Sequence, residues 1–404
     1  MYCKKIKVKE YRNIESAELE FTDGINILYG PNGSGKTNIA EALYYFAIAK
    51  SFRANNDRPV VRNNGSEYAI IEADFVRQNS SYHTESNDKA SVVINRKGSN
   101  KYDINGMNVT SSSFMGNFKA VLYTPETIDL VKGAPADRRR FLDIALCQLD
   151  PDYLECLKKY NFALKERTEC VHNYNILRSG KMLFSDPTMT KERTYELIGV
   201  YSDMICKYGA YIMYMRYNYI SKLKAQFSNF FLYVYGRENF DITIEYSPAL
   251  REGVRFDNAS PLSYIRRELR RSMRDTYDYD IEKGVLPYGP SKDELIIKRG
   301  SFLAKDCTSQ GQQKVIAIAL KTAEGLVYKE EQGDLPFFIL DDVMSELDRT
   351  TQLRLTEMFS KYQTLITSAD SGYVGSSIGL LSGVNRPRVI EVNEGKFKVR
   401  KDLS

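Results

Sequence analysis

Histidine is nearly absent: two occur in 404 residues, His83 and His172, in unrelated surroundings. That scarcity argues against a histidine-based metal site or a Ser-His-Asp triad, and leaves both side chains surface or packing roles. The six cysteines (Cys3, Cys147, Cys156, Cys170, Cys206 and Cys307) are scattered without a C-x-x-C pair. A metal or disulfide framework therefore has little support, and reduced thiols in a cytoplasm are the expectation. No run of about 18 apolar residues exists, which argues against a membrane span. The opening MYCKKIKVKEYRN alternates charged and apolar residues and lacks the apolar centre of a signal peptide. The net charge of +5 permits a polyanionic partner without arguing for one, so the placement of the basic residues matters more than their sum.

What is present suffices for a folded protein. Hydrophobic residues make up 43% and charged residues 27%, which argues against global disorder. The length allows two or three lobes, or one domain with a large insertion. KKIKVKEYRNI, AELEF and GINILYG read as a group of strands, the last entered through a turn at Asp23-Gly24. TNIAEALYYFAIAKSF places Ile39, Leu43 and Phe46 on one face, as an amphipathic helix requires. From Glu67 to Val121 the chain is β-rich, with a tight turn at Asn105-Gly106 and a mobile polar loop expected over Gln78–Ala90. From Asp137 to about Tyr279 the pattern is helical, with Ile205, Tyr208, Ile212, Met215 and Tyr219 at helical spacing. Strand and helix alternate again after Gly289: PFFILDD and QTLITSAD read as strands, Asp348 as a helix cap, and RVIEVNEGKFKV as a closing hairpin. The expected fold is α/β, a mixed sheet with helices, whose halves (1–136 and 281–404) flank an inserted compact helical lobe (137–280).

Chemistry concentrates in three segments. Gly30-Pro31-Asn32-Gly33-Ser34-Gly35-Lys36-Thr37 fulfils G-x-x-x-x-G-K-[ST] between a strand and a helix. Glycines let backbone N–H groups turn toward phosphates, Lys36 neutralises the outer ones and Thr37 offers a hydroxyl to Mg²⁺. The plain alternative is a glycine-rich turn. Phe337–Asp342 is an apolar strand ending in two acids, Asp341 for the metal and Asp342 as general base or water positioner; on their own they could simply cap a strand. Ser309-Gln310-Gly311-Gln312-Gln313 opens an apolar helix. Ser309 reads either as an ordinary N-cap or, with the helix-start amides, as a second anion-binding surface.

In this order the segments resemble the ATP-binding-cassette ATPases of DNA repair and chromosome organisation, and among them most closely the RecF family. YRNI at Tyr11–Ile14, GKTNIAEALYY, KSFR at Lys50–Arg53, YTPETIDLVKGAPADRRRFLD and LDDVMSELD all look like RecF-family segments. The resemblance implies an ATPase cleaving ATP to ADP and phosphate with Mg²⁺, weakly and under stimulation by DNA. Lys36, Asp341 and Asp342 form its catalytic set, and Thr37 with Asp341 the metal anchor. Gly30, Asn32, Gly33, Ser34, Gly35, Lys36, Thr37 and Asn38 would cradle the nucleotide. Arg12 is similar to an arginine that approaches the phosphates. Ser309, Gly311 and Gln312 look like the signature segment that grips the γ-phosphate from the opposite protomer, and Ser345, Glu346 and Asp348 like the D-loop.

Some positions depart from the wider pattern. Asp342 stands where transporter cassettes carry Glu, and Thr367 where they carry a histidine. Tyr123–Glu126 replace the Q-loop without a glutamine. Gly289-Pro290-Ser291-Lys292-Asp293-Glu294 stands where the RecF family reads Gly-Pro-His-Arg-Asp-Asp. The implied protein is a DNA clamp of recombinational repair and gap maintenance. It would be a homodimer closed by ATP on duplex or ds/ss-junction DNA and opened by slow hydrolysis, with RecR, RecO and indirectly RecA as partners. The alternative is an SMC-like ATPase of another repair or defence system. A transporter cassette and a cassette nuclease fit less well because each needs a feature not visible here, and a metabolic kinase because it would leave the signature-like and D-loop-like segments without a purpose.

Two basic segments bear on DNA. Arg266, Arg267, Arg270, Arg271 and Arg274 share a helix whose apolar face is Ile265, Leu269 and Met273. They suit phosphates, or form a solvated face balanced by Glu268 and Asp275. Arg138–Arg140 either meet phosphates or brace the protein. No helix-turn-helix or zinc finger is present, so sequence-specific readout is not expected.

Overall fold

The computed structural model describes residues 1–54, 56–79, 84–179, 190–235, 241–333, 335–369, 372–375 and 386–400. Two compact units emerge: Met1–Lys132, Ala225–Phe240 and Lys305–Ser404 form the first, Gly133–Lys224 and Asp241–Ala304 the second.

In the first unit, β1 (Tyr2–Tyr11) and β2 (Ile14–Glu20) pair antiparallel, and β4 (Tyr68–Asn79), β5 (Thr84–Asn95), β6 (Lys101–Ile104) and β7 (Met107–Val109) continue the sheet in the order β2-β1-β4-β5-β6-β7. Burial along β1 alternates, so one face meets the core and its lysines face outward. A second sheet runs β15-β14-β3-β13-β12-β8, from β3 (Ile25–Tyr29), β8 (Ala120–Tyr123), β12 (Phe337–Asp341), β13 (Thr364–Ser368), β14 (Arg388–Asn393) and β15 (Lys396–Val399). Its central strands are parallel and buried along their length, as a sheet covered on both faces requires.

Helix α1 (Lys36–Ile48) packs on β1 of one sheet and on β8, β12 and β13 of the other. It is buried on all sides rather than on one face, because it has a sheet on each flank. The expected grouping of the first three strands also changes: β3 leaves the β1–β2 pair and enters the parallel sheet. Its inward-pointing Asn26 is satisfied by the Thr22 and Gly24 carbonyls, at 3.0 Å each. The polar stretch expected as a loop over 78–90 is strand in its described part, paired from Asn79↔Thr84 through Asp74↔Lys89. His83 lies outside the described residues, and His172 is exposed. The Asn105-Gly106 turn joins β6 to β7 with both residues at positive φ, 54° and 82°.

The second unit holds α2 (Pro135–Leu149), α3 (Pro151–Arg178), most of α4 (Lys191–Tyr235) and α5 (Leu262–Asp275). Ile205, Ile212 and Tyr219 of α4 are buried, while Tyr208 and Met215 are only half-buried. The unit also contains a sheet of β9 (Ile242–Ser247), β10 (Glu294–Arg299) and β11 (Phe302–Leu303). This pairing carries the unit past the expected boundary at 280/281 to 304/305, and it begins at 132/133, four residues before the expected 136/137. β10 is held to β9 from Glu294↔Ser247 to Arg299↔Ile242. Residues 310–332 (α6) and 349–359 (α7) return to the first unit, and Asp348 caps α7 through the Thr351 N–H at 3.0 Å.

The Gly289–Glu294 segment finds a role here. Arg216, 2% exposed, donates to Asp143 Oδ1 (2.8 Å), the Pro290 carbonyl (2.7 Å), Asp293 Oδ2 (3.1 Å) and the Tyr153 hydroxyl (3.2 Å). Asp293 also takes the Ala249 N–H at 2.8 Å and the Tyr246 hydroxyl. Glu294 receives Arg138 through two bonds, 2.7 and 2.9 Å, and Arg139 donates to the Asp293 carbonyl at 3.0 Å. Arg138 and Arg139 thus brace this unit, leaving Arg140 exposed. A second buried pair, Arg167 with Asp280, ties α3 to the segment after α5.

Burial pushes the Asp293 carboxyl above its ordinary range, against the pull of Arg216. Arg216→Met strands that carboxylate and is expected to cost about 3–5 kcal/mol in urea unfolding at neutral pH. An acid whose folded pKa exceeds its unfolded one destabilises the fold only while ionised. The deficit should therefore be full above the folded pKa and shrink as pH falls through it; a deficit independent of pH would contradict this account.

Candidate functional site

The residues between β3 and α1 form a loop pinned on two sides. The Gly30 N–H donates to the Ser368 carbonyl (3.3 Å) and the Gly395 N–H to the Ser34 carbonyl (2.8 Å). From the β1–β2 turn, Asn13 donates to the Gly33 carbonyl (3.0 Å) and accepts from Asn38 (2.7 Å), which in turn accepts from Arg53 (3.0 Å). Gly30 passes so close to β14 that a Cβ there would lie 2.0 Å from the Val392 carbonyl oxygen. Gly35 occupies the cap position of α1 at φ 116°, where side chains are strained.

The loop is built to receive an anion. No side chain caps α1 and no acid lies in its first turn, so its leading N–H groups face out of the helix without an intrahelical acceptor. Ser34 Oγ is buried and has no hydrogen-bond partner. Lys36 folds over the loop, its Nζ 2.7 Å from the Gly30 carbonyl and 2.9 Å from that of Pro31. Burial lowers its pKa, opposed by Asp342 and Asp341. A phosphate would supply the acceptors and the negative charge that these groups lack.

At the end of β12 stands Asp341, 5% exposed, whose Oδ1 accepts the Thr37 hydroxyl (2.9 Å) and the Thr367 hydroxyl (2.7 Å). Burial raises its pKa, and the two hydroxyls oppose that rise. Asp342 follows at φ 57°, a left-handed conformation that Asp tolerates better than most residues. The Ser345 hydroxyl donates to the Asp342 carbonyl (3.0 Å). Thr37 and Asp341 present oxygen donors that suit a hard cation. Among the described residues no cluster of three or more acids, histidines or cysteines could hold a metal alone, so a Mg²⁺ here would complete its shell with water or phosphate oxygens.

A cavity of 630 Å³ gathers these groups, lined among others by Arg12, Asn13, Lys36, Thr37, Asp342 and Thr367. Arg12 is fixed by a two-point contact to the buried Glu41, Nε–Oε2 2.9 Å and Nη2–Oε1 2.7 Å, and by Nη1 to the Pro59 carbonyl at 3.1 Å. Asn32, Gly33, Gly35 and Asn38 also line the cavity. Asn13, Arg53, Pro59, Val61 and Asn63 line it too, although sequence reasoning gave them no role. YRNI and KSFR were the only signals that could have found Asn13 and Arg53.

Ser309, Gly311 and Gln312 stand apart from this cavity, at the exposed start of α6. There Ser309 Oγ accepts from the Gln312 N–H (3.3 Å) and the Gln312 side chain accepts from the Ser309 N–H (2.9 Å). Gln313 fixes the preceding turn through the Lys305 and Thr308 carbonyls, at 3.1 and 3.2 Å.

The family described as RecF/RecN/SMC N terminal domain matches residues 2–386. The chain is similar to the DNA replication and repair protein RecF of Lactobacillus gasseri, 30% identical over 402 residues covering 99% of this chain and 100% of the relative. It is likewise similar to that of Clostridium botulinum, 30% identical and covering 98% and 100%. Among solved structures it resembles the recombination mediator protein RecF bound to ATPrS in the RecFOR pathway, with TM-score 0.83, 26% identity and 98% of both chains covered. An Smc head domain from Pyrococcus furiosus matches at TM-score 0.52 and 16% identity, covering 99% and 96%, a likeness of fold alone.

Gly30→Ala tests the loop's close approach to β14. The added methyl should displace Val392 or the loop, lower the melting temperature by an amount equivalent to about 1–3 kcal/mol, and abolish phosphate-ligand binding. Unchanged binding of a nucleoside triphosphate by calorimetry would show that the approach is not required.

Proposed function

The chain belongs to the RecF family, within the RecF/RecN/SMC grouping, and on that premise we propose that it is an ATP-dependent DNA clamp of recombinational repair and gap maintenance. One observation carries the reading. Lys36, Thr37 and Asp342 share a cavity, Thr37 contacts Asp341, and Ser309 with its helix start lies exposed and apart. Such a site is half complete. Backbone N–H groups of the Gly30–Thr37 loop, with Ser34, Lys36 and Asn38, bind the phosphates of ATP, and Arg12 approaches them from the β1–β2 turn. Thr37 and Asp341 hold Mg²⁺, which when bound offsets charge on the outer phosphates. Asp342 orients the attacking water. A second copy brings Ser309, Gly311 and Gln312 to the γ-phosphate, so binding ATP closes a homodimer.

Hydrolysis to ADP and phosphate opens the clamp and is slow, because the acid is the short Asp342 and Thr367 supplies no imidazole. DNA stimulates it weakly. RecR, RecO and indirectly RecA are the partners that fit, since a RecF structure is described as a mediator in the RecFOR pathway. No helix among the described residues is long and apolar enough to cross a membrane, and the cytoplasm is the proposed compartment.

For DNA, α5 offers a phosphate-binding row. All five of its arginines are exposed. The buried Glu268 takes up Arg251 and Arg271 at 2.9 Å and Arg267 at 3.3 Å, while Arg270 meets the exposed Asp203 at 2.6 Å. Arg266, Arg270 and Arg274 recur every four residues along the helix, at a spacing suited to a duplex backbone.

Light scattering with ATP, ADP and no nucleotide tests the clamp. Dimers are expected with ATP alone, and Lys36→Met and Ser309→Arg should both remain monomeric. Dimerisation that ignores nucleotide, with both variants behaving as wild type, would sink the model. For the arginine row, the Arg266→Glu/Arg274→Glu variant should weaken duplex binding equally across sequences and reduce the salt slope by about 2. An unaltered slope places the DNA elsewhere.

A further inference from the structure

Thr367 does more than fill a buried position of β13. It lies in register with Asp341 across the β12–β13 pair. Its single hydroxyl serves both acids: it donates to Asp341 Oδ1 at 2.7 Å and accepts the backbone N–H of Asp342 at 3.0 Å. The side chain is fully buried but borders the cavity, and its bond to Asp341 is shielded from competing water. Asp342, held at its N–H by Thr367, has the left-handed backbone that begins the turn toward Ser345.

Two hydroxyls converge on Asp341 Oδ1, and they are not equivalent. Thr37, in the first turn of α1, lines the cavity and is placed to turn its oxygen lone pairs to a cation. Its one hydrogen can stay on Asp341 while a lone pair meets the cation, so Thr37 is shared between the two. Thr367 spends its acceptor capacity on the Asp342 N–H, so of the two donors to Asp341 it serves the acids alone. We propose that Thr367 is a positioning residue: its hydroxyl orients Asp341 toward the divalent ion and pins the backbone from which Asp342 reaches the attacking water. The inference rests on the ATP and Mg²⁺ reading given above. Partners of this kind around a ligand to a metal typically contribute ten- to hundredfold in metal affinity or activity.

The test uses the full-length chain and two substitutions. Thr367→Val keeps the shape and strand preference and removes the hydroxyl; Thr367→Ser keeps the hydroxyl. The readout is the ratio of the ATP Kd in EDTA to that in Mg²⁺, measured by calorimetry, with turnover recorded in parallel. Thr367→Val should reduce this ratio about tenfold and lower kcat, and Thr367→Ser should restore most of both. A ratio unchanged in Thr367→Val overturns the proposal. So does an equal loss of affinity with and without Mg²⁺, which would mark a general packing role. If wild-type ATP affinity ignores Mg²⁺, the underlying nucleotide reading fails instead, and the two failures are told apart.

Discussion

A buried carboxylate with two hydroxyls donated to one oxygen is the constraint on which the first unit turns. Asp341 Oδ1, at the end of β12, joins the start of α1, 304 positions away in the chain, to the end of β13, 26 positions away. Burying such a group is unfavourable unless its lone pairs are satisfied. The fold meets that requirement with side chains that must be delivered by three different elements. The order of the parallel sheet follows from this: β3, β13 and β12 must be neighbours, because the loop after β3, Thr367 on β13 and Asp341 on β12 have to reach one point. The apolar runs of these strands supply the burial that makes the carboxylate sensitive to its surroundings.

The second unit solves a related problem differently. Arg216 is enclosed by Asp143, Asp293, Tyr153 and a backbone carbonyl, so its charge is neutralised within the unit rather than by solvent. Removing one member leaves an opposite charge without compensation, which is why buried pairs are costly to break even where they add little net stability. The Gly289–Glu294 segment belongs to this cluster. Its departures at Ser291 and Lys292 leave the two acids in place, and those acids carry the structural work.

The site was legible wherever its chemistry is local in sequence. Gly30–Thr37 announces itself because phosphate cradling needs glycines and a lysine at fixed short spacings. Phe337–Asp342 does so because an apolar run ending in two acids is unusual. Asn13, Arg53 and Asn63 carry no such spacing: they come from a turn and a loop that reach the cavity only after both sheets form. The same holds for α1. Its sequence has an apolar face, but its full burial depends on a second sheet contributed by distant strands. The misread stretch over 78–90 is a case of composition against pairing. Its polar residues suit a loop, yet they also suit the open face of an antiparallel strand, and the β4 partner decides between these. Arg138 shows the opposite limit, a charge in a basic run whose neighbour Glu294 lies 156 positions away in the chain.

These features bear on why hydrolysis would serve as a release step. The loop, Lys36 and the acid pair are assembled within one unit, so in the proposed reading one copy would suffice to hold ATP. Ser309 is at an exposed helix start, already satisfied by its capping bonds with Gln312. To meet a γ-phosphate it gives up or shares one of those bonds, so engagement depends on what the incoming phosphate returns. A triphosphate returns a charge-assisted bond and a diphosphate does not. The differential affinity of the proposed closed state for ATP over ADP would then reside in a few contacts at α6, and the affinity for nucleotide as such in the loop. In the proposed clamp, closure would track the γ-phosphate because the two tasks sit on separate elements of the chain, and a slow acid at Asp342 would lengthen the time for which closure lasts.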